Sequence, residues 1–376
     1  MSRRRVVVLG GGIAGLSTAH ALALDGGVDV TLVEREPRHD AHSTGRSAEI
    51  LRVAVDDPVT RGLSLETDRL LDDPRGAGLD AGPLVERTGL IVLADDDPPW
   101  ADDLERRGLS LRADASSLRH RVADLQESEG ALRLGGRAHW IERGGRILGD
   151  RLVASLARCA HRAGATFVRC AGDAEVLVDG RRVRGVRIRS GERIAADQVV
   201  VAAGAWTGPI ARGLGLDLPL RTTRRHMFLS APAPGGPAAP PVVWDDDDAF
   251  YIRREGTRWG LSICDVAEAA PAAPLYPVDP GVERRAAEAL AAWVQPSAGP
   301  VALETSWSGF RDLSPDDRPI LGPDPRQPGL HWCCGLGGHG MTLSLGLGRA
   351  AASAVLGHPT ELAAQCTVER FEFAPA

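Results

Sequence analysis

The chain contains no lysine and no asparagine, and all 44 of its basic residues are arginine. Without lysine, a protein Schiff base, a lysine-tipped phosphate loop and oxygen activation by a lysine ammonium are excluded. Cysteine is sparse, at six residues, and no pair has C-x-x-C spacing. The spacings encode neither a zinc site nor a disulfide framework, so no metal is expected. Reduced thiols and a cytoplasmic location are the default reading. No apolar run approaches the length of a membrane span. The arginines at the start precede too short an apolar stretch for a signal peptide. A net charge of −6 argues against a nucleic-acid surface. What remains is a chain of 376 residues, 43% apolar, long enough for two domains with sizeable cores.

The first of those cores announces itself at once. Val6-Val7-Val8-Leu9 runs into Gly10-x-Gly12-Ile13-Ala14-Gly15, an Ala-rich helical stretch follows, and Val28 to Val33 reads as a second buried strand. That strand ends at Glu34, 19 positions after Gly15. Strand, glycine turn, helix, strand and acid together form a dinucleotide-binding fingerprint in its required context. Gly10 allows the sharp bend, Gly12 lets a pyrophosphate approach the backbone, and Gly15 lets the helix pack closely. The helix start offers unpaired N–H groups to phosphate. Glu34 can accept hydrogen bonds from both ribose hydroxyls, with Arg35 beside it. The fingerprint alone leaves FAD and NAD both open.

Further along, the segment His42 to Glu49 reads as a loop entering a helix, with Ser43, Thr44, Arg46 and Ser47 as candidate donors to a nucleotide. Residues 59–73 read as an amphipathic helix, Leu84 to Leu93 as a strand, and 100–132 as helical pieces. Asp150 is the expected N-cap of a helix over Arg151 to Ala163. An Asp179-Gly180 turn joins a hairpin. Gln198 to Trp206 is a buried strand entering Ala203-Gly204-Ala205-Trp206. Residues 231–241 form a Pro/Gly loop, 281–294 a helix, and Leu303 to Arg311 a strand. Trp332-Cys333-Cys334 leads into Gly335-Leu336-Gly337-Gly338-His339-Gly340-Met341-Thr342 and then a small-residue helix. Cys333 and Cys334 read as strand interior.

Taken in order, these pieces resemble the FAD-dependent amine and amino-acid oxidoreductases, the D-amino-acid oxidase and glycine oxidase group, over nearly the whole chain. Within it, His-Ser-Thr-Gly-Arg-Ser-Ala at 42–48, Ala-Ala-Gly-Ala-Trp at 202–206, Arg224-Arg225 and Phe250-Tyr251 are most similar to D-arginine dehydrogenases. The resemblance implies FAD rather than NAD. It implies an α/β fold: a Rossmann-like FAD-binding domain over 1–83, 145–219 and 313–376, and a discontinuous α+β substrate domain over 84–144 and 220–312, built on an antiparallel sheet. It also places a substrate carboxylate on Arg311, with Arg225 and Tyr251 assisting. A planar guanidinium suits that task. Gly337, Gly338, His339, Gly340, Met341 and Thr342 are implied to face the flavin, with Ala203, Gly204 and Trp206.

The departures narrow the expectation. Positions that carry a histidine, a tyrosine and a glutamate in the D-arginine enzymes fall on Ile50, Val55 and near Gly89. An arginine substrate is therefore not carried over, and an apolar or small side chain is expected. No cysteine stands at 309–311, so FAD should be non-covalent. The lysine that sarcosine oxidases use for oxygen is missing, which favours a quinone or other acceptor over O2. The expected activity is oxidative deamination of an amino acid, in the D-configuration, by hydride transfer from Cα to flavin N5. The imine would hydrolyse to a 2-oxo acid and ammonia. The alternatives are a secondary amine such as sarcosine, a 2-hydroxy acid, or a flavin-binding accessory subunit.

Overall fold

A computed structural model of the chain describes residues 3–80, 82–114, 137–233, 240–247, 249–272, 276–294 and 301–371. Most of the loop read at 231–241, and the part of the 100–132 stretch beyond 114, lie outside the described residues.

The valine-rich strand Arg4–Leu9 sits inside a six-stranded sheet, between Val28–Val33 and Gln198–Val201, both parallel to it. Val8 pairs with Leu32 on one side and Val200 on the other. Thr166–Val168 extends the sheet beyond Val28–Val33, and Leu330–Cys334 extends it beyond Gln198–Val201. Ile320–Pro323 closes that edge antiparallel. Near-continuous apolar runs are what a parallel sheet covered on both faces requires. One face carries the helices Ile13–Asp25, Gly149–Arg162 and Gly340–Leu356, and the core between them includes Leu16, Leu22, Leu32 and Leu156, all without solvent exposure. Each such leucine contributes about 1.5–3 kcal/mol by leaving water. The other face is covered by the three-stranded hairpin sheet over 174–195.

A nine-stranded sheet forms the second body of structure. Its central strands are Arg221–Ser230, Arg258–Ser262, Phe250–Glu255 and Val242–Asp245. Leu303–Leu313 pairs antiparallel with Arg221–Ser230 along its whole length. The sheet is antiparallel except where Val242–Asp245 runs parallel to Leu90–Leu93. Helix Pro280–Trp293 packs on it through Val282, Ala286 and Leu290. Its start has a local explanation: the Asp279 side chain accepts from the N–H groups of Gly281 and Val282, and Pro280 fills the first turn. No described helix is long and apolar enough to cross a membrane.

Four local expectations are corrected. The stretch Leu84 to Leu93 is two strands, Val85–Glu86 and Leu90–Leu93, in different sheets. Gly89 turns between them at φ 81°, and a Cβ there would lie 1.9 Å from the Trp140 ring. The segment after His42 makes one 3-10 turn, Ser43–Arg46, and no α-helix. Glu49, at φ 59°, then redirects it into the short strand Ile50–Leu51. Only Ala101–Arg106 of the 100–132 stretch is a described helix, and Leu111–Asp114 is a strand. Asp150 lies in the first turn of Gly149–Arg162 and does not cap it. The Gly149 N–H is taken by Glu49 Oε1 at 3.2 Å, so an acid 100 residues away replaces the local cap.

Candidate active site

One cavity of about 580 Å³ runs between the two large sheets, lined from the glycine turn at one end to Tyr251 and Trp244 at the other. Its first end is built by the strand–turn–helix unit. Gly10 leaves the strand at φ 109° and donates its N–H to Val33 O at 2.8 Å. A Cβ on Gly15 would stand 1.8 Å from Gly10 O, so this glycine is what allows the helix to meet the turn. Glu34 is buried, and its two oxygens accept from Gly11 N at 2.6 Å and Glu36 N at 2.8 Å. Each oxygen keeps a free lone pair at the cavity wall. The Arg35 guanidinium lies 4.8 Å from the centre of the Trp206 ring, which His42 meets from 4.6 Å.

The segment 43–48 ties this end to the larger sheet. Thr44 Oγ1 accepts from Ile13 N at 3.0 Å, satisfying a first-turn donor of the helix. The Ser43 hydroxyl donates to Phe310 O at 2.8 Å, and Trp307 Nε1 donates to Arg46 O at 3.3 Å. Arg253 Nε donates to Ala48 O at 2.6 Å. The loop is therefore stapled to the strand that carries Arg311. These bonds use up the hydroxyl of Ser43 and much of the backbone of 44–48, which explains the single 3-10 turn in place of a helix.

The far end is cationic. Arg311 and Arg225 project from the paired strands Leu303–Leu313 and Arg221–Ser230, where Thr223 faces Arg311 and Arg225 faces Gly309. The two arginines are thus diagonal neighbours on one face of the sheet, about 7–8 Å apart along the ladder. Arg311 has no hydrogen-bond or ion-pair partner among the described residues. Its side chain lies against Gly338, where a Cβ would come within 2.5 Å of Arg311 Cζ. Burial, and then the charge of Arg225, lower its pKa to about 10. Arg225 Nε donates to Asp265 O at 3.3 Å. The Tyr251 hydroxyl donates to Met227 Sδ at 2.8 Å, a weak acceptor that a carboxylate could replace. Burial raises the Tyr251 pKa, so it stays a donor. Beside it, His339 is held neutral: burial first, and then the charges of Arg52, Arg311 and Arg225, lower its pKa to about 3. Its Nδ1 is buried without a partner.

Of the residues singled out from sequence, all except Gly15 and Gly337 line this one cavity. Gly15 serves the helix–turn contact, and Gly337 donates its N–H to Asp312 O at 2.9 Å. Met341 and Thr342 reach the cavity wall from the start of helix Gly340–Leu356, with Thr342 Oγ1 donating to Ile50 O at 2.8 Å. Cys333 and Cys334 are buried in their strand, with raised thiol pKa values caused by that burial. Arg224 points elsewhere, its guanidinium 5.4 Å from the Tyr276 ring centre. Ile50 is at the wall, whereas Val55 and Gly89 are not. Sequence reasoning missed Arg52, Trp244 and Met227. Nothing local marks Arg52 among 44 arginines. Trp244 could have been found as a large aromatic on a strand next to that of Tyr251.

A cavity with a glycine turn and a buried acid at one end, and open space over Gly204, fits a dinucleotide with a ring system beyond it. The comparisons agree. The family model described as "DAO: FAD dependent oxidoreductase" matches residues 5–354, and the chain belongs to this family. It is 27% identical to the uncharacterized oxidoreductase YurR of Bacillus subtilis (strain 168) over 368 residues, 95% of this chain and 96% of that one. It is 30% identical to a D-amino acid dehydrogenase of Bradyrhizobium diazoefficiens over 220 residues, which span 58% of this chain and 50% of that protein. The crystal structure of iminodiacetate oxidase (IdaA) from Chelativorans sp. BNC1 superposes with a TM-score of 0.75 at 26% identity, covering 95% of this chain and 96% of that one. The protein is an FAD-dependent oxidoreductase.

Proposed function

We propose that the protein catalyses oxidative deamination of a D-amino acid, giving an imine that water converts to a 2-oxo acid and ammonia. The observation that carries this reading is Arg311: a guanidinium walled into the cavity, pressed on Gly338, with no acid partner among the described residues. Such a group awaits a carboxylate. Support for the D-configuration comes from the likeness to the Bradyrhizobium enzyme, whose name states it.

In this reading, Gly10 to Ala14 and Thr44 would hold the pyrophosphate of FAD, and Glu34 its ribose. Gly338 to Thr342 would lie along its ring system, together with Ala203, Gly204 and Trp206. With no cysteine at 309–311, the cofactor is held non-covalently. Bound FAD would supply the redox chemistry, as a two-electron acceptor for the hydride of the substrate Cα–H bond. The chain's own part is orientation. Arg311 grips the carboxylate through paired N–H donors, Tyr251 exchanges its thioether acceptor for a carboxylate oxygen, and Arg225 adds charge from the diagonal position. The strand ladder fixes all three. Among the described residues, the imidazole facing this end is His339, whose pKa is lowered to about 3 by burial and the nearby arginines, so it is a weak base. The amine therefore reacts after losing its proton to solvent. A chain without lysine fits an acceptor other than O2.

A second reading, oxidation of a secondary amine, is favoured by the likeness to iminodiacetate oxidase. Anaerobic mixing of the FAD-loaded protein with D- and L-amino acids, N-methyl amino acids and 2-hydroxy acids decides between them, with flavin absorbance as the readout. Bleaching by D-amino acids is expected. Bleaching by N-alkyl amino acids alone would overturn the first reading in favour of the second. Repeating the mixing in air separates O2 from other acceptors.

A further inference from the structure

The carboxylate end of the cavity holds more positive charge than one carboxylate accounts for. Arg311 and Arg225 are joined there by Arg52, which arrives from the short stretch after strand Ile50–Leu51. The Arg52 guanidinium lies 3.9 Å from the centre of the Trp244 ring, and Trp244 stacks on Tyr251 at 5.0 Å. The three cations converge: His339 and Cys264 each feel all of them. Two carboxylates near the cluster, Asp246 and Asp265, are already committed, and a third beside Arg52, Asp56, is exposed. Asp246 takes Arg52 Nη2 at 3.1 Å and Trp244 Nε1 at 2.6 Å. Asp265 takes the backbone N–H of His226 at 3.0 Å and bonds its ring at 2.7 Å. Neither acid lines the cavity. The Arg52 Nε is buried and has no partner among the described residues. A buried cation with unused donors is costly unless a ligand completes it.

We propose that the substrate carries two carboxylates, one on Arg311 and Tyr251 and the second read by Arg52 above the Trp244 ring. The inference rests on the carboxylate-clamp reading above and deepens it. It replaces the apolar or small side chain expected from sequence with a second carboxylate on the substrate. The chemistry is that of an amino dicarboxylate. The second carboxylate sits either on the side chain, as in D-aspartate and D-glutamate, or on an N-substituent, as in iminodiacetate.

The first test needs no turnover. Calorimetric titration of the FAD-loaded protein with succinate and with butyrate compares two unreactive ligands that differ in one carboxylate. Succinate is expected to bind about ten-fold or more tightly, the size of one charge-assisted contact. Equal binding overturns the proposal. Arg52→Met should remove most of that ratio and Arg52→Lys should restore part of it. An unchanged ratio in Arg52→Met overturns the assignment to Arg52. In turnover, D-aspartate and D-glutamate are expected to show KM values about ten-fold or more below those of D-asparagine and D-glutamine if the side chain carries the second charge. A preference for iminodiacetate over N-methylglycine places it on nitrogen. If succinate outbinds butyrate while no amino compound bleaches the flavin, the deamination reading fails and the two-carboxylate site stands.

Discussion

The two ends of the cavity treat their charged groups in opposite ways. At the glycine turn, Glu34 is buried with both oxygens already bonded to backbone N–H groups, and Thr44 satisfies Ile13 N. At the other end, Arg311 has no acid partner among the described residues, and Arg52, though paired with Asp246, keeps a buried Nε without an acceptor among them. The first end is complete by itself and stable as folded. The second is electrostatically unfinished, and a bound anion would finish it. A group whose partners lie within the protein holds the fold together. A group that lacks them keeps its interaction free energy for a ligand.

Arg311→Met tests the unfinished end and carries the largest expected effect. Losing a paired charge-assisted contact should lower kcat/KM for the amino-acid substrate roughly 10²- to 10⁴-fold. FAD content and thermal stability should hold, since Arg311 bonds nothing else among the described residues. A variant with FAD bound and unchanged turnover would remove Arg311 from the site. Gly15→Val attacks the finished end. The new side chain must displace Gly10 O, at a cost of roughly 1–3 kcal/mol. Both denaturant stability and FAD retention should fall together, and a fully stable, FAD-loaded variant would refute the close helix–turn contact.

Histidine 331 sharpens the contrast, because it is buried in the parallel sheet that carries the glycine turn and lacks a partner at Nδ1 among the described residues. Burial, and then the charge of Arg4, lower its pKa from 6.5 to about 4. A base depressed in the folded state binds its proton more readily in the unfolded chain. Its contribution to stability is therefore full above pH 6.5 and declines as pH falls toward 4. The loss approaches about 1.4 kcal/mol per pH unit at most. Urea unfolding of His331→Phe at pH 7.5 and pH 5 should show a shallower acid decline than the parent protein, whereas parallel profiles would count against the assignment. The smallest effect is expected for Thr44→Val. Losing the bond to Ile13 N should weaken FAD binding or stability by about 1 kcal/mol. Fluorescence titration of FAD release reads this, and a change larger than that of Gly15→Val would reverse the ranking.

How much of this was legible beforehand follows from sequence distance. The nucleotide end is contiguous: strand, turn, helix, strand and Glu34 occupy the first 34 residues, and each step has a local cause. Hydrophobic runs and glycine spacing therefore identified it. The segment after His42 was placed correctly at the cavity but given the wrong conformation. Its shape is set by bonds to Ile13, Phe310, Trp307 and Arg253, none of them local. Asp150 was misread as a cap because the Gly149 N–H is satisfied by Glu49 instead. Arg311, Arg225 and Tyr251 are assigned through family resemblance, and the fold brings all three to one cavity wall. Arg52 was not found at all, because its role depends on Trp244 and Asp246 meeting it across roughly 190 positions.

What the sequence determined by itself was the parallel sheet with its glycine turn, and with them a dinucleotide site. Periodic burial and backbone freedom are local properties that neighbouring residues settle. Which of the 44 arginines face one cavity was decided only by the tertiary structure. A guanidinium is the same in every position of the sequence. Its function follows from the acids around it, and whether an acid is in reach is a question of three-dimensional distance.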